Sequence, residues 1–503
     1  TKEDVVAWAN KNLTSQGLVT VYKRQGEDKS QKKIDKPQIT PIPSNRNAQS
    51  EFLAQIANSE VEPIAPRFTD YKRDMDIVAM DNGLELLYKR NELNDRFELV
   101  YLYDFGTESV PALAYVGRYM SMLGTENKSL KQMQFEQYNL ACDISLSASK
   151  TNLYVTISGL AENADKALVL AEEYLSNIKG DEDVLAEIKR DIVQERKNDK
   201  NSQRANYSAL QRYATFGGDY VERTTLSNAE LEALTSDDLV GKIKGLKNYQ
   251  HRVLYYGPQS KKSLVDMLNK NHAVAETLIP VEYKSTPNIP VTEPKVIFAQ
   301  YDAKQIYYMQ YTCGDDMFDV TLDPVVRLYN EYFSGGMNAI VFQELRESRG
   351  LAYSSYAYLG QGNTCKEPYY FYAFIATQND KMQQAIEAFD EIIENMPQSE
   401  AAFELTRQGI ITNMGTGRTT KMDVLWKYVG DNRFGITDFN RTEAIYNAIQ
   451  TMTLEDVVAF QQSHIKGRNY LYCILGDRRD VDMKYLKTLG DIEFVTQEQI
   501  FGY

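Results

Sequence analysis

The chain has 503 residues and a mass of 57.5 kDa, which is enough for about two to four domains of ordinary size. Its 56 basic and 70 acidic residues give a formal net charge of −14, which argues against a nucleic-acid binder and offers no attraction to an anionic membrane. Only three histidines and four cysteines occur, without a Cys-x-x-Cys or His-x-x-x-His pair. A metal site made by this chain alone would therefore have to rely on carboxylates.

The first predicted element belongs to a motif that occurs three times. Thr1, Thr235 and Thr453 each precede an acidic turn and an apolar run, which predicts a capped helix. An apolar stretch typical of a β-strand follows each helix, and in the first copy it spans 18–22. Thr453 lies 218 residues after Thr235, and the helical segment 385–396 matches 167–178 at the same offset. Two matches at one offset predict a duplicated domain.

This repeat divides the chain into four parts. The first copy of the motif has no domain body before it, and the following residues are polar and contain several prolines. We predict the tail of a preceding, missing domain at 1–25, a linker at 26–64, and two homologous domains at 65–285 and 286–503.

Strands and helices alternate in groups along each of the two domains. In the first, strands are predicted at 76–79, 84–88 and 97–103, helices at 110–123 and 129–141, strands at 143–149 and 151–159, and helices from 162 to about 215. In the second, strands are predicted at 294–302 and 304–312, helices at 319–348, strands at 352–359 and 368–377, and then helices. The grouping predicts an α+β fold of two tandem sheet-plus-helix domains. No run of about 18 apolar residues occurs, so no membrane span is expected.

A motif in the second domain carries a family resemblance. A Gly-Gly turn at Gly335 and Gly336 leads into Leu-Arg-Glu around Arg346, and Gly-Leu-Ala-Tyr follows, ending at Tyr353. This resembles the C-terminal half of the pitrilysin/insulinase zinc metallopeptidases. The resemblance implies half of a clamshell, in which Tyr353 donates to the scissile carbonyl or oxyanion and Arg346 binds substrate. It also implies that both residues reach zinc held by an N-terminal half.

A segment of the first domain resembles the family's zinc helix in its flanking residues but lacks the residues that bind zinc. That helix reads Gly-Leu-Ala-His-x-x-Glu-His-Met in the family, whereas Tyr115 and Tyr119 stand here at the histidine positions and Arg118 at the glutamate position. Glu195 falls near the position of the third ligand and is interpreted as a helix-surface residue. Because neutral tyrosine is a poor zinc ligand and arginine has no lone pair to offer, we expect no metal bound by this chain.

The resemblance predicts the C-terminal half of a zinc metalloendopeptidase, inactive alone. Its partners would be a zinc-bearing N-terminal half, on the same polypeptide or a separate subunit, and unfolded peptides added as a strand to a sheet edge. A non-catalytic assembly scaffold and a stand-alone peptide-binding module of the same fold are the alternatives. The resemblance suggests a bacterial periplasmic or envelope location, while the sequence leaves the compartment unknown.

Overall fold

The computed structural model describes residues 1–13, 17–24, 26, 30, 50–57, 59–60, 64–436 and 438–503. The chain divides into two compact units, Thr1–Pro63 and Ile64–Tyr503. Most of the predicted linker 26–64 lies outside the described residues. Both predicted domains fall within the second unit, and their boundaries stay a prediction.

The described residues of the first unit include two helices, α1 (Lys2–Asn12) and α2 (Glu51–Ala57). Thr1 caps α1 in a reciprocal capping box with Asp4, as the repeat motif predicts. The strand predicted at 18–22 is wrong, because residues 18–24 are described but lie in no strand. Strand hydrogen bonds need a neighbouring strand, and none pairs with this stretch among the described residues. Its apolar side chains are exposed, as are Val5 and Trp8 of α1.

The second unit contains two six-stranded sheets with helices packed on them, which confirms the α+β fold. The elements up to residue 271 are α3 (Tyr71–Asp74), β1 (Asp76–Ala79), β2 (Glu85–Arg90), β3 (Arg96–Tyr103), α4 (Leu113–Met120), α5 (Leu130–Asn139), β4 (Cys142–Ala148), β5 (Leu153–Leu160), α6 (Ala164–Asn177), α7 (Glu182–Lys200), α8 (Gln203–Phe216), α9 (Gly218–Thr224), α10 (Asn228–Ala233), α11 (Ser236–Gly245), β6 (Arg252–Gly257) and α12 (Lys261–Asn271).

The remaining elements begin at residue 295. They are β7 (Lys295–Gln300), β8 (Gln305–Met317), α13 (Asp323–Ser334), a π-helix (Phe342–Ser348), β9 (Ala352–Gly360), β10 (Pro368–Gln378), α14 (Met382–Glu394), α15 (Glu400–Thr416), α16 (Asp423–Arg433), α17 (Arg441–Ile449), α18 (Leu454–His464), β11 (Leu471–Gly476), α19 (Met483–Leu489), β12 (Asp491–Val495) and α20 (Gln497–Phe501). Helices were predicted at 319–348 with a Gly-Gly turn before Arg346, and turns around Gly335 and Gly336 do separate α13 from the π-helix.

Five strands of each sheet follow the same topology. Sheet 1 has the order β1-β2-β6-β3-β5-β4 and sheet 2 the order β12-β7-β11-β8-β10-β9. The sixth strand differs, because β1 is antiparallel to β2 whereas β12 is parallel to β7. The capping boxes predicted at Thr235 and Thr453 start α11 and α18, the helices that precede the equivalent strands β6 and β11. Topology and caps thus repeat together.

Each sheet is buried on its second face by a helix from the other repeat. Helix α8 packs Tyr207 and Leu210 against strands β8, β10 and β11 of sheet 2. Helix α16 packs Leu425 and Val429 against strands β2, β3 and β6 of sheet 1. These helices hold equivalent positions in the two repeats, so the packing is reciprocal. An ion-paired group supports it, in which Asp104 accepts from Arg252 at 2.7 Å and from Arg433 of α16 at 3.3 Å.

A buried chain of polar groups joins strand β3 to the ends of helices α6 and α12. The Nδ1 of His251 lies 2.8 Å from the carbonyl oxygen of Tyr249, so it must carry the hydrogen. The Nε2 of His251 then accepts from the Nε2 of His272 at 2.9 Å. Glu172 accepts from Tyr101 at 2.8 Å and lies 2.8 Å from the Nδ1 of His272. A second proton on His251 would set two N–H groups head to head.

This arrangement predicts a loss of stability in acid. Burial, reinforced by the adjacent His272, lowers the pKa of His251 from 6.5 to about 3. The unfolded chain therefore binds the proton first as pH falls, so the contribution is complete above pH 6.5 and declines below it. Between pH 7 and pH 4.5 we expect His251 to lower the free energy of unfolding by about 2 kcal/mol. Urea unfolding should show a shallower pH slope for His251→Gln, and an unchanged slope would contradict the assignment.

The reciprocal packing predicts that one core substitution in either exchanged helix weakens the whole second unit. Leu210 of α8 and Leu425 of α16 are fully buried. Leu210→Ala and Leu425→Ala should each lower the free energy of unfolding by about 2–5 kcal/mol through lost burial and the cavity left behind. Leu405→Ala, on the exposed face of α15, is the control and should change it by less than about 0.5 kcal/mol. Losses no larger than the control's would contradict the packing.

Candidate functional site

The helix at the zinc-motif position is α4, and its three substituted side chains all have protein partners. Tyr119 is fully buried, and its hydroxyl lies 2.6 Å from the Oγ of Ser236 and accepts from the Asp181 N–H at 2.8 Å. The hydroxyl of Tyr115 accepts from Arg196 at 3.2 Å. Tyr119 is therefore a core residue that ties α4 to the starts of α7 and α11.

Arg118 lies on the outer side of α4 and joins it to α7. Its guanidinium donates to Glu195 at 3.0 Å and to Asp191 at 2.7 Å. The helix thus brings position 118 next to the expected third-ligand position, but an ion pair occupies the space between them. A cation held there opposes a second cation such as Zn²⁺, and the residues present do not fit zinc. Among the described residues, no three His, Cys, Asp or Glu side chains group in a way that could hold a metal ion.

Helix α4 also covers part of the edge of sheet 1. A Cβ atom on Gly117 would lie 2.0 Å from the carbonyl oxygen of Leu146 in edge strand β4, so only glycine permits this close approach. The side chain of Gln137 accepts from the Ile144 N–H at 3.2 Å. The first contact brings α4 close to the β4 backbone, and the second satisfies a backbone N–H of β4.

Arg346 and Tyr353 lie together at the corresponding edge of sheet 2. The Cζ atom of Arg346 is 4.6 Å from the ring centroid of Tyr353 and 4.8 Å from that of Phe342, so the guanidinium contacts both rings. Its nearest carboxylate is Glu347, with 3.7 Å between Nε and Oε1. The side chain of Tyr353 is 84% exposed. The pair presents a phenolic hydroxyl and an open guanidinium edge to solvent.

Local backbone irregularities position this pair. Arg346 lies in the π-helix, a rare conformation found mostly as single turns near functional sites. Gly350 follows with φ +56°, the left-handed conformation expected of a residue just past a helix end. In β9 the pairing with β10 shifts between Ala352 and Ser354, which leaves Tyr353 as the extra residue of a β-bulge. A bulge re-aims the side chain that it carries.

Apart from Glu347, the carboxylates near Arg346 pair with Arg349 instead. Arg349 pairs with Glu391 of α14 at 2.8 Å and with Glu344 of the π-helix at 3.6 Å. The hydrogen bond from Arg349 lowers the pKa of Glu391. Because these acids pair with Arg349, they do not neutralise Arg346.

The outer edge of β9 is closed along one half and open along the other. Two side chains of α13 close one half. The Ala357 N–H donates to Ser334 at 2.9 Å, and the backbone of Leu359 exchanges two hydrogen bonds with the side chain of Asn330. Ser355 lies two residues before Ala357, so its N–H and carbonyl also point away from β10. No hydrogen bond satisfies them in the part of the chain that the structure describes. The free edge therefore lies beside Tyr353.

Comparisons with known proteins found one family model and several solved structures that are similar to this chain. Residues 252–410 match the model of a family described as the peptidase M16 inactive domain. This part of the chain therefore resembles the inactive domain of the M16 peptidases. The resemblance to the pitrilysin/insulinase family is therefore confirmed, and the match covers the Arg346–Tyr353 motif. No curated protein matches the chain.

Solved M16 structures share the fold at low sequence identity. The M16 inactive domain of Pseudomonas fluorescens is 16% identical with a TM-score of 0.64, and the alignment covers 80% of this chain and 98% of that one. The periplasmic protease PqqL of Escherichia coli is 12% identical with a TM-score of 0.66, over 95% of this chain and 51% of that one. The ferredoxin protease FusC, in complex with Arabidopsis ferredoxin, is 14% identical with a TM-score of 0.64, over 95% and 50%. The chain thus spans about half the length of PqqL and FusC.

Sequence reasoning missed the residues that shape the edge of β9. Asn330 and Ser334 are four residues apart on one face of α13, a spacing visible in the sequence but without a sign of what that face meets. The π-helix and the bulge leave no periodicity signal.

No helix in the described part of the chain has the length and apolar character needed to span a bilayer.

Proposed function

We propose that this chain is the C-terminal, non-zinc half of an M16 zinc metalloendopeptidase. It binds the peptide substrate and completes an active site whose zinc is held by an N-terminal half. The observation that carries this proposal is the Arg346–Tyr353 stack beside an unpaired strand edge. The match of residues 252–410 to the M16 inactive-domain family supports it, as does the ion-paired state of Arg118 at the zinc-motif position.

Peptide would bind by adding a short strand beside Ser355. The unpaired N–H and carbonyl of that residue offer two main-chain hydrogen bonds, and the closure by Asn330 and Ser334 limits the added strand to the beginning of β9. This limit favours a short extended segment placed next to Tyr353. An extended segment requires an unfolded or loosely folded substrate.

Tyr353 and Arg346 would have different roles at the scissile bond. The Tyr353 phenol would donate to the carbonyl oxygen as negative charge develops on it, and this donor is worth most in the transition state. Arg346 would orient the peptide by donating to a neighbouring carbonyl or carboxylate. The cation–π contact holds both groups in one arrangement before substrate arrives. The zinc of the partner half would supply the activated water.

The chain therefore should not hydrolyse peptides alone, even with zinc added. Mixed with its zinc-bearing half, it should cleave a fluorogenic peptide. Tyr353→Phe should lower kcat about 100- to 1,000-fold by removing one oxyanion donor, and Arg346→Gln should mainly raise KM. Tyr138→Phe is the matched control, because Tyr138 is 82% exposed on α5, and it should leave turnover unchanged.

Two outcomes would contradict this proposal. One is zinc-dependent cleavage by the isolated chain, and the other is full turnover in the Tyr353→Phe assembly. An assembly that forms but never cleaves would favour the alternative of a non-catalytic scaffold. Peptide binding by the isolated chain that Arg346→Gln weakens, without any turnover in the assembly, would favour a peptide-binding module.

A further inference from the structure

A cavity of about 260 Å³ lies between helix α8 and the outer face of sheet 2. It draws its walls from separate parts of the second unit. Lys150 comes from the β4–β5 turn, Arg212 from α8, Asn288 from the segment before β7, and Tyr358 and Tyr370 from strands β9 and β10. Pockets at such junctions are the usual places for small-molecule sites. The cavity is distinct from the Arg346–Tyr353 surface.

Two cations in the wall have no counter-ion among the residues that the structure describes. Arg212 donates through Nη2 to the carbonyl oxygens of Ile500 and Phe501, at 3.3 and 3.1 Å, and pairs with no carboxylate among the described residues. Lys150 contacts the ring of Phe216, with Nζ 5.0 Å from the centroid. Burial lowers the pKa of Arg212 and of Lys150, and the charge of Arg212 acts on Lys150 in the same direction. Both cations would gain from a bound anion.

The carboxylate that acts on Lys150 is already engaged. Glu108 accepts from the Tyr220 hydroxyl at 2.7 Å through one oxygen. Its other oxygen accepts from the N–H and the hydroxyl of Thr286, at 3.1 and 3.2 Å. These bonds hold the carboxylate away from a direct ion pair with Lys150. The positive charge of the cavity is therefore not cancelled by direct contact.

The rest of the cavity wall is aromatic and offers neutral donors. The rings of Tyr358 and Tyr370 meet edge to face at 6.2 Å between centroids, and Tyr311 and Tyr372 also line the cavity. Burial raises the pKa of the Tyr358 and Tyr370 hydroxyls, which therefore stay protonated at neutral pH. Such a wall suits a flat apolar group with hydrogen-bond acceptors at its edge.

We propose that this cavity binds a small aromatic carboxylate, with the carboxylate at Lys150 and Arg212 and the ring among the tyrosines. The size of the cavity fits a small ligand. Pockets for drug-sized ligands enclose about 300–1,000 Å³, and this cavity, slightly smaller, suits a group near the size of one amino-acid residue. The same chemistry occurs in a free aromatic acid and in the C-terminal residue of a peptide that ends in phenylalanine or tyrosine. The proposal does not depend on the peptidase function.

Calorimetric titration of the full chain with N-acetylphenylalanine tests the proposal without a partner half. We expect saturable binding, and about tenfold weaker binding of N-acetylphenylalaninamide, which lacks the charge. Lys150→Gln should weaken the acid about tenfold, and Lys150→Arg should restore it. Because Lys150 lies in the β4–β5 turn and forms no ion pair among the described residues, neither change threatens the fold. Lys262→Gln, on the exposed start of α12, is the matched control and should bind as the wild type does.

Competition distinguishes the two sources of the ligand. A peptide ending in a free phenylalanine carboxylate that displaces N-acetylphenylalanine identifies a peptide end as a ligand, and failure to displace identifies the free acid. Either result supports the cavity's chemistry. Equal affinity for the amide, unchanged affinity in Lys150→Gln, no saturable binding, or displacement by an equal concentration of inorganic phosphate would overturn the proposal.

Discussion

The reciprocal exchange of helices α8 and α16 is the constraint on which the rest of the second unit depends. Each sheet packs one face on helices of its own repeat, and its other face is also apolar. That second face includes Leu87, Val100 and Leu254 on sheet 1 and Met309 and Cys473 on sheet 2, and these side chains must also be buried. Each repeat supplies the cover for its neighbour. The two sheets therefore fold as one compact unit although the sequence repeats. The cavity beside α8 exists because an exchanged helix meets a sheet with which it shares no loop.

Shared topology also shows how the two repeats have diverged in what they offer to a ligand. In the first repeat, Gly117 of α4 packs against edge strand β4, and Arg118 forms ion pairs with Asp191 and Glu195. In the second, α13 closes only the latter half of β9, and the bulge at Tyr353 stands at the open half. In the first repeat an ion pair occupies the position where the family resemblance implies the third ligand, whereas the second repeat has an accessible strand edge with a cation and a phenol beside it.

The sequence was sufficient wherever structure follows from local chemistry or periodicity. The three Thr–Asp capping boxes, the hairpin at Asp81–Gly83, and the alternating strand β5 could all be predicted, because each depends on neighbouring residues alone. The meeting of Arg346 with Tyr353 was expected only through the family resemblance. The helix exchange, the closure of β9 by Asn330 and the buried His251–His272 pair depend on partners far away in the chain, which no local pattern encodes. The strand predicted at 18–22 fails for the same reason, since a strand depends on a neighbour.

The most direct test of the peptide-binding surface is the exchange rate of single backbone amides in β9. With a saturating unfolded peptide, the amide of Ser355 should exchange more slowly, because its N–H gains a main-chain acceptor. The amides of Ala357 and Leu359 should keep their rates, since Ser334 and Asn330 already satisfy them. An unchanged Ser355 rate in the peptide-saturated chain would contradict the account, as would protection that appears instead along β4.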